Sequence, residues 1–435
     1  MDSVRVPPAE ALGGTVYVPA DKSITHRALL LAAVSDRAVS IADPLDSADT
    51  QATLTAVVRC GAPTEGDLGD AVLVRGRGLR GLRPPPALDC ANAGTLMRLV
   101  PGLLVGQGGD FCVLDGDGSL RSRPMDRVAR PLRAMGANVF TAPGGTPPLA
   151  VDGTAPLRGA VHELPVASAQ VKSCLLLAGL FADGETWVRE PAPSRDHTER
   201  MLAAAGVTVL REGGAVGVRG PVDALSLPDL AVPRDFSSAA PLLVAGVLCG
   251  DPELCLPQVN VNPLRTGLLA VMERMGADVR VEPGPEVGGE PSATLRAARG
   301  PTLHGTEVTP EEVPTLVDEL PLVGLLGAFA AGRTVVRGAA ELRVKESDRI
   351  AAVVAALRAL GATAEERDDG FEVVGGGRLT GGEAAAGGDH RLAMLAAVAG
   401  AASEGGVTVR GFEAVGVSYP GFGADLAAVG VGVAG

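Results

Sequence analysis

The stretch DELPLVGLLGAFAAGRTVV, residues 318–336, shows the pattern from which the fold of this chain is predicted. It opens with the polar cluster Asp318-Glu319-Leu320-Pro321 and continues into an almost uninterrupted apolar run from Val323 to Ala331. A small-residue turn follows, and then the β-branched stretch Thr334 to Val336. The apolar run predicts a helix that is buried on all sides, and the β-branched residues predict a strand.

The same helix-then-strand pattern occurs six times along the chain. The polar clusters that open it are Asp21-Lys22-Ser23, Asn92-Ala93-Gly94-Thr95, Ser168-Ala169-Gln170, Asp235-Phe236-Ser237-Ser238, Asp318-Glu319-Leu320-Pro321 and Asp389-His390-Arg391. Their first residues lie 71, 76, 67, 83 and 71 residues apart. Strands are predicted over Ala38 to Ile41, Phe111 to Leu114, Thr186 to Val188, Thr334 to Val336 and Val407 to Val409. Such a period indicates a repeat architecture rather than one doubly wound sheet.

A second, more amphipathic helix is predicted in most repeats, and a glycine marks its end. These ends are Gly61-Ala62, Gly136-Ala137, Gly206-Val207, Gly276-Ala277 and Gly361-Ala362. Glycine suits the left-handed conformation that commonly follows a helix. Because 435 residues exceed what one hydrophobic core usually serves, the six repeats are expected to form two domains of three.

Composition and charge exclude several classes of function. Hydrophobic residues make up 46% of the chain, which predicts a globular protein with a substantial core. The net charge of −13 argues against a nucleic-acid partner, because binding to a phosphate backbone needs a basic face. No leader with an apolar core opens the chain, and the uncharged stretch from Phe236 to Gly250 is too short to span a membrane. We therefore expect a cytoplasmic protein with no membrane partner.

Neither a metal nor a cofactor is expected. The six cysteines lie in apolar surroundings without a CxxC spacing, so buried free thiols are predicted. The five histidines show no metal-ligand spacing, and no GxSxG, HExxH, Walker A or GxGxxG fingerprint occurs in the right structural context. The chemistry is expected to be metal-free and directed at anions.

Cations lie in or beside the clusters that open the buried helices. Of 38 basic residues only Lys22, Lys172 and Lys345 are lysines. The cations in or beside the clusters are Lys22, Arg27, Lys345, Arg349 and Arg391. A cation near a helix N-terminus opposes the helix dipole unless an anion binds there. Ordinary N-caps account for Asp235 and Ser237, but they do not account for the cations, which predict an anionic ligand.

Two carboxylate positions are candidates for acid–base chemistry. Asp318-Glu319 opens a buried helix, whereas Glu346 lies in the mixed-charge segment Arg343 to Arg349. Helical spacing would place Glu346 and Arg349 on one face. A solvated surface face is the alternative, but a lysine retained there in an arginine-rich chain favours function. Carboxylates in different environments can serve as base and acid.

Six ordered motifs resemble the signatures of the 5-enolpyruvylshikimate-3-phosphate synthase family. They are Val18-Pro19-Ala20-Asp21-Lys22-Ser23, Asn92-Ala93-Gly94-Thr95, Arg123-Pro124-Met125, Ser168-Ala169-Gln170, Arg343 to Arg349 and Asp389-His390-Arg391. The match spans the whole chain, and Arg343 to Arg349 is its most specific part. Ser168 to Lys172 and Arg195 to Glu199 resemble the second class of the family.

The resemblance implies an α/β (α+β) two-domain enolpyruvyl transferase fold, each domain having three βαβαββ units in an inverse α/β barrel. Residues 1–18 and 237–435 would form one domain and residues 19–236 an inserted second one, with the active site in the cleft between them. The implied enzyme is a 3-phosphoshikimate 1-carboxyvinyltransferase that acts in chorismate and aromatic amino acid biosynthesis. It is expected to be a monomer. It transfers the enolpyruvyl group of phosphoenolpyruvate to the 5-hydroxyl of shikimate 3-phosphate and releases phosphate.

Site residues are carried over from the resemblance position by position. Shikimate 3-phosphate would contact Lys22, Ser23, Arg27, Ser168, Ala169, Gln170, Ser194, Asp318 and Lys345, of which Ser168, Ala169 and Ser194 surround its phosphate. Phosphoenolpyruvate would contact Lys22, Gly94, Arg123, Gln170, Arg349 and Arg391. The catalytic residues would be Asp318 as base, assisted by Lys22, and Glu346 as the acid that protonates the methylene carbon.

Several positions depart from the family pattern. Ala20 and Arg234 stand where glycine is usual, Leu264 where the second class has threonine, and Pro241 where an aromatic is common. Val417-Ser418-Tyr419-Pro420 lacks the lysine that the other class carries before its aromatic-Pro motif. Arg234 is expected to alter domain closure or to add an anion contact.

Two alternatives stay open from the sequence. One is a UDP-N-acetylglucosamine enolpyruvyl transferase, although the reactive loop cysteine and early Lys-Asn pair of that enzyme are missing. The other is a non-catalytic or repurposed paralogue that binds phosphorylated acids, against which the retained Asp318, Glu346 and three lysines argue.

Overall fold

The computed structural model describes residues 3–109 and 111–434. The chain begins with β1 (Ser3–Val6) and β2 (Leu12–Thr15). It continues with α1 (Lys22–Ala33), β3 (Ala38–Ala42), α2 (Ala48–Arg59), β4 (Thr64–Asp67), β5 (Ala71–Arg75), β6 (Ala87–Asp89), α3 (Gly94–Leu104), β7 (Phe111–Asp115), α4 (Gly118–Arg121), α5 (Asp126–Ala134), β8 (Asn138–Thr141) and β9 (Leu149–Asp152). Then follow β10 (Val161–Glu163), α6 (Ala169–Gly179), β11 (Gly184–Arg189), α7 (His197–Ala204), β12 (Val209–Glu212), β13 (Ala215–Gly220) and β14 (Leu230–Ala231).

The second half of the chain continues the alternation. It contains α8 (Phe236–Cys249), β15 (Gly250–Asn260), α9 (Gly267–Met275), β16 (Asp278–Pro283), β17 (Ser292–Ala298), β18 (Glu307–Val308), α10 (Val313–Leu316), α11 (Leu320–Phe329) and β19 (Gly332–Val336). A 3₁₀ helix (Ala340–Val344), α12 (Arg349–Ala359), β20 (Thr363–Arg367), β21 (Gly370–Gly375), β22 (Gly382–Ala385), α13 (His390–Ala402), β23 (Val407–Arg410), a second 3₁₀ helix (Phe412–Val417) and α14 (Phe422–Ala428) complete it.

Within the described residues the strands form six sheets that share one design. In the sheet β6-β7-β9-β8, β6 and β7 are parallel, and the other two pairs are antiparallel. The same order of pairings occurs in β10-β11-β13-β12, β14-β3-β5-β4, β2-β15-β17-β16 and β18-β19-β21-β20. The sixth sheet, β22-β23-β1, has one parallel and one antiparallel pair. The repetition predicted from the sequence is therefore confirmed.

Apart from the short helices, three repeats are continuous βαβαββ units. One of them is β6, α3, β7, α5, β8 and β9, and the repeats that begin at β10 and β18 follow the same order. In two others the parallel edge strand comes from elsewhere in the chain: β14 pairs with β3, and β2 pairs with β15. The unit implied by the resemblance is thus present, with its first strand exchanged in two repeats.

The chain folds into two compact units. Unit 1 takes the described residues up to Pro19, Pro233–Glu286 and those from Pro291 onward, and unit 2 takes Ala20–Val232 and Val287–Glu290. Each unit has its own core, built largely of Val, Leu and Ala. Between these units the chain passes after Pro19 and before Pro233. The short segment Val287–Glu290 was not anticipated in unit 2.

Each predicted polar cluster opens one of the buried helices α1, α3, α6, α8, α11 and α13. In α8, every residue from Phe236 to Val247 is buried. The side chains of Asp21, Ser168, Asp235 and Asp389 cap their helices by accepting a backbone N–H. The second-helix ends are confirmed as well, because Gly61, Gly136, Gly206, Gly276 and Gly361 all have φ between 79° and 97°.

Small residues let neighbouring buried helices approach closely. A Cβ added at Gly102 of α3 would lie 2.2 Å from the carbonyl oxygen of Cys174 in α6.

The six cysteines are free, as predicted, and four of them are buried. Across the described part of the chain, every helix is too short or too polar to cross a membrane.

Candidate active site

Three of the candidate residues in unit 1 lie in two turns that precede helices, and a fourth opens one of those helices. Asp318 lies in the turn between α10 and α11, and Lys345 and Glu346 lie in the turn that leads into α12. Arg349 is the first residue of α12. The sequence alone did not establish that these turns meet.

Arg349 joins three carboxylates within unit 1. Its Nε and Nη2 donate to the two oxygens of Asp389, at 2.8 and 3.1 Å. Its Nη2 also lies 2.7 Å from Glu346 Oε2, and its Nη1 lies 3.5 Å from Asp318 Oδ1. Lys345 Nζ is 3.8 Å from the same Asp318 oxygen. The proposed base and the proposed acid therefore contact one guanidinium group.

Burial and opposite charge act against each other in this cluster. Burial by itself would lower the pKa of Arg349. The negative charges of Glu346 and Asp389 raise this pKa by more than burial lowers it, so it lies above its ordinary value. Burial raises the pKa of Asp389, but Arg349 lowers it to below its ordinary value. Arg349 and Asp389 are thus a charged pair at neutral pH, which is how a buried charge is tolerated.

One local expectation was wrong. Glu346 and Arg349 were expected on one face of a helix, but Glu346 precedes α12 and the contact forms across the N-terminus of the helix. Asp348 occupies the N-cap position and accepts the backbone N–H of Ala351 at 3.2 Å. A capping Asp stops the helix from extending back to Glu346.

Arg391, in the first turn of α13, contacts two other helix starts. Its Nη1 donates to the backbone carbonyl of Ser237 at 3.2 Å and lies 3.4 Å from Glu319 Oε1. The hydroxyl of Ser237 donates to the Glu319 carboxylate and does not cap α8, so the N-cap interpretation is wrong for Ser237. It is right for Asp235, which accepts from the N–H of Ser237 at 2.9 Å.

Proline in α8 explains why the Ser237 carbonyl is available to Arg391. In a regular helix this carbonyl would accept the N–H of residue 241, but Pro241 has no N–H. The departure from the family pattern at Pro241 is therefore linked to the position of Arg391.

The start of α1 brings three candidate residues of unit 2 together. Lys22 Nζ lies 3.1 Å from Asp49 Oδ2 on α2. The buried Arg27 donates from Nη1 to the carbonyl of Ser23 at 2.9 Å, and from Nε to Thr198 Oγ1 at 2.8 Å. The cations near this helix start are thus held by specific partners within the unit.

Gly94 and Arg123, the expected phosphate contacts of phosphoenolpyruvate, are neighbours in unit 2. A Cβ added at Gly94 would lie 2.8 Å from Arg123 Nη1, so a larger residue here would displace this guanidinium group from its present position. Arg123 Nη2 donates to Asn92 Oδ1 at 3.0 Å. The Asn-Ala-Gly-Thr motif therefore positions Arg123 as well as opening α3.

Gln170 is fixed from both ends of its amide group. Its Nε2 donates to Thr95 Oγ1 at 2.9 Å, and its Oε1 accepts from Arg98 Nη1 at 2.5 Å. Ala169 is the first residue of α6, and Ser168 caps that helix. Arg98 and Thr95 belong to α3, so Gln170 connects two repeats.

Three residues with roles in the site region were missed or left unassigned from the sequence. Lys172 forms ion pairs with Glu190 and Glu199 at 3.0 and 2.9 Å. Glu190 in turn accepts from Ser194 Oγ at 2.7 Å. The rarity of lysine pointed to Lys172, but no pattern in the sequence identified its two partners.

Three residues that depart from the family pattern are Arg234, Leu264 and Ala20, and the structure shows the hydrogen bonds or the burial of each. Arg234 is held through its backbone, which donates to Gln258 O at 3.2 Å and accepts from Asn260 N–H at 2.8 Å. Leu264 N–H donates to Asn262 Oδ1 at 3.0 Å. Ala20 is buried. No group of His, Cys, Asp and Glu suited to a metal occurs among residues 3–109 and 111–434.

Comparisons with known proteins agree with the motifs. The family model of EPSP synthase (3-phosphoshikimate 1-carboxyvinyltransferase) matches residues 6–426. The 3-phosphoshikimate 1-carboxyvinyltransferase of Halorhodospira halophila is 48% identical over 430 residues, covering 99% of this chain and 96% of that protein. The protein of the same name from Gloeobacter violaceus is 49% identical over 426 residues, with 98% of each chain covered.

Solved structures give the same result. EPSP synthase from Acinetobacter baumannii superposes with a TM-score of 0.88 at 40% identity, covering 100% of this chain and 99% of that one. The enolpyruvyl transferase NikO from Streptomyces tendae shares the fold, with a TM-score of 0.79 at 19% identity over 99% of this chain and 98% of its own. The expected fold class is confirmed, and the chain is a transferase that belongs to the EPSP synthase (3-phosphoshikimate 1-carboxyvinyltransferase) family.

Proposed function

We propose that this chain transfers the enolpyruvyl group of phosphoenolpyruvate to the 5-hydroxyl of shikimate 3-phosphate, releasing phosphate, in chorismate and aromatic amino acid biosynthesis. Membership of the family supports the reaction. The observation that carries the assignment of roles is the contact of Arg349 with both Asp318 and Glu346. A base and an acid beside one cation are what an addition to an anionic enol phosphate requires.

Substrate binding is divided between the two units in this proposal. In unit 1, Asp318 and Lys345 bind shikimate 3-phosphate, and Arg349 and Arg391 bind the carboxylate of phosphoenolpyruvate. Arginine suits that role because its fork of N–H groups matches a carboxylate. A bound carboxylate would share Arg349 and Arg391 with their present partners Glu346 and Glu319.

Unit 2 supplies the contacts to the phosphates. Lys22, Gly94 and Arg123 bind the phosphate of phosphoenolpyruvate, and Gln170 contacts both substrates. Ser168, Ala169 and Ser194 surround the phosphate of shikimate 3-phosphate, while Lys22, Ser23 and Arg27 bind the rest of it. The start of α6 lies among these residues, and helix N-termini favour anions. We further propose that the active site lies in the cleft between two domains formed by residues 1–18 with 237–435 and by residues 19–236.

The first chemical step is an addition. Asp318, assisted by Lys22, takes the proton of the 5-hydroxyl, and the oxygen forms a bond to C2 of phosphoenolpyruvate. Glu346 donates a proton to the methylene carbon, which becomes a methyl group. A tetrahedral intermediate that still carries the phosphate results. Lys345 and Arg349, next to Asp318, stabilise the charge that develops.

The second step is an elimination. Glu346, which gave its proton in the addition, takes one back from the methyl group. The double bond between C2 and the former methylene carbon forms again, and the C2–O bond to phosphate breaks. The proton that Asp318 took from the 5-hydroxyl passes to the departing phosphate. The products are the enol ether and inorganic phosphate. Arg123 and Lys22 compensate the charge of the departing phosphate. All bonds and protons balance without a metal or a cofactor.

We propose further that the enzyme acts as a monomer in the cytoplasm, with no nucleic-acid or membrane partner. The net charge of −13 supports the absence of a nucleic-acid partner.

The test is phosphate release from phosphoenolpyruvate by the purified protein, with and without shikimate 3-phosphate. Release should require both substrates. Replacing Asp318→Asn removes the base and should lower the rate by about 10²- to 10⁴-fold. Asp368→Asn, at an exposed turn between β20 and β21, is the matched control and should retain the rate.

Other results would contradict the proposal. Binding of both substrates without release would indicate the non-catalytic paralogue, and release with UDP-N-acetylglucosamine instead would indicate the related transferase. Full activity in the Asp318→Asn variant would remove Asp318 from its role and leave the reaction in place.

A further inference from the structure

Lys172, Glu190 and Glu199 form a buried ion cluster in unit 2. Lys172 Nζ lies 3.0 Å from Glu190 Oε2 and 2.9 Å from Glu199 Oε1, and it donates to the carbonyl of Ser194 at 3.0 Å. The three protons of the ammonium group therefore each have an acceptor. The three side chains are only 1–7% exposed. The mechanism proposed above assigns no task to this cluster.

The two glutamates differ in what else they contact. Glu190 Oε1 accepts from the backbone N–H of Ser168 at 2.7 Å and from Ser194 Oγ at 2.7 Å. Glu199 pairs with Lys172 through Oε1, and its Oε2 is buried without a hydrogen-bond partner among the described residues. Only Glu190 thus links the cluster to two residues that are proposed to surround a phosphate.

Glu190 determines how Ser168 and Ser194 are presented. A single carboxylate oxygen holds the start of α6 and the Ser194 side chain at hydrogen-bond distance, which fixes the spacing between them. The Ser168 hydroxyl oxygen accepts from the N–H of Val171 at 3.4 Å, so its own proton remains available to an anionic oxygen. Without Glu190, neither residue has this common anchor.

Lys172 reduces the electrostatic cost of placing the Glu190 carboxylate beside the proposed phosphate site. An uncompensated carboxylate close to a bound phosphate would repel it, and the ammonium group 3.0 Å from Glu190, which Glu199 shares, offsets part of that charge. Lys172 also binds the Ser194 carbonyl, so the segment that carries Ser194 is tied to α6 at two points.

We propose that Glu190, held by Lys172, is a positioning residue that sets the affinity for the phosphate of shikimate 3-phosphate. This inference rests on the function proposed above, in which Ser168 and Ser194 surround that phosphate. It predicts an effect on shikimate 3-phosphate and none on phosphoenolpyruvate, which a general loss of stability would not produce.

The experiment compares Glu190→Gln with Glu199→Gln in the full-length enzyme. Each substitution removes one buried carboxylate charge from Lys172 at almost the same distance, so the two variants are matched for loss of the ion pair. For Glu190→Gln, KM for shikimate 3-phosphate should rise about tenfold, because charge-assisted hydrogen bonds are lost. KM for phosphoenolpyruvate should stay within about twofold of wild type, and both KM values should do so in Glu199→Gln.

Equal KM values for shikimate 3-phosphate in the two variants would overturn the inference, as would a parallel rise in both KM values for Glu190→Gln.

If Glu190→Gln does not fold, Glu190→Asp is used instead, since it keeps the charge but shortens the reach to Ser168. An unchanged KM for shikimate 3-phosphate in Glu190→Asp would also overturn the inference. Calorimetric titration of wild type and Glu190→Gln with shikimate 3-phosphate measures Kd without turnover. An inert wild-type enzyme that still shows the tenfold Kd difference would contradict the proposed reaction and not this inference.

Discussion

Arg349 is a buried cation whose carboxylate partners come from three separate places in the sequence. Glu346 precedes it by three residues, Asp318 lies earlier in the same repeat, before α11, and Asp389 lies in the next repeat. The segment Arg343 to Arg349 was identified as functional from its residue types. That Asp318 lies beside it follows from how the turns before α11 and α12 pack together, which residue types do not reveal.

His26, one turn after Lys22 on α1, is a residue whose protonation opposes folding. Its side chain is buried, with Nδ1 2.6 Å from Thr53 Oγ1. Burial lowers the pKa of His26 from 6.5 to about 3, and the negative charge of Asp49 acts in the opposite direction. The folded protein therefore keeps this ring neutral at pH values where the unfolded chain protonates it.

The free energy of unfolding should consequently fall as the pH decreases below 6.5, and this contribution should continue down to about pH 3. The His26→Asn variant keeps a hydrogen-bonding group near Thr53 but cannot take up the proton. Between pH 7 and pH 5, its stability relative to wild type should improve by about 2 kcal/mol. Urea unfolding at both pH values measures this.

The exposed His304 provides the control for that experiment, since His304→Asn should leave the pH dependence of the wild type unchanged. Identical pH dependences for wild type and His26→Asn would show that His26 is not kept neutral by burial.

At the scale of elements, the buried first helices of the repeats combine packing with binding. Their polar starts satisfy free backbone groups, as the caps Asp21, Ser168, Asp235 and Asp389 show. The same starts carry the candidate cations. Helix α8 adds a further device, because Pro241 leaves the carbonyl of Ser237 for Arg391.

Replacing Pro241→Ala would supply a backbone N–H that competes with Arg391 for the carbonyl of Ser237. A net hydrogen bond contributes about 1 kcal/mol, so KM for phosphoenolpyruvate should rise about fivefold. KM for shikimate 3-phosphate should not change. Steady-state kinetics with each substrate varied in turn measures both values.

Pro101 in α3 is the matched position, since it too is a proline inside a buried first helix. Pro101→Ala should leave both KM values unchanged. The same rise in KM for phosphoenolpyruvate in the two variants would mean that helix straightening, and not the Ser237 carbonyl, is responsible.

At the scale of the whole molecule, the two units each enclose a core that shields the cysteines. Burial raises the pKa of Cys60 and of Cys174 to about 12, and that of Cys249 to about 11. Because the thiolate is the reactive form, these thiols are almost entirely unreactive at neutral pH. Free cysteines without a disulfide also imply that reductant should not affect the fold.

A chromogenic disulfide reagent at pH 7.5 should therefore react in the native protein with at most the two partly buried residues, Cys249 and Cys255. After unfolding in guanidinium chloride, all six cysteines should react. Rapid reaction of more than two thiols in the native protein would mean that one of the cores opens readily.

The sequence by itself determined the repeat, the six buried helices with their starts, the glycine ends and the family. These features depend on local periodicity, on residues such as Gly61 that suit one backbone conformation, and on motifs such as Arg343 to Arg349. Each of these features is recognised from stretches of consecutive residues, so no knowledge of packing is needed to recognise it.

Only the tertiary structure decided which charged groups meet. Arg349 with Asp318, and Lys172 with Glu190, are contacts between different elements of one repeat. Arg391 with the carbonyl of Ser237 is a contact between residues of two repeats. The N-cap at Asp348, which leaves Glu346 outside α12, was equally hidden. The physical reason is that a buried charge is stable only with a partner at short range. The packing of helices, strands and turns, within and between repeats, sets that distance, and the local sequence does not.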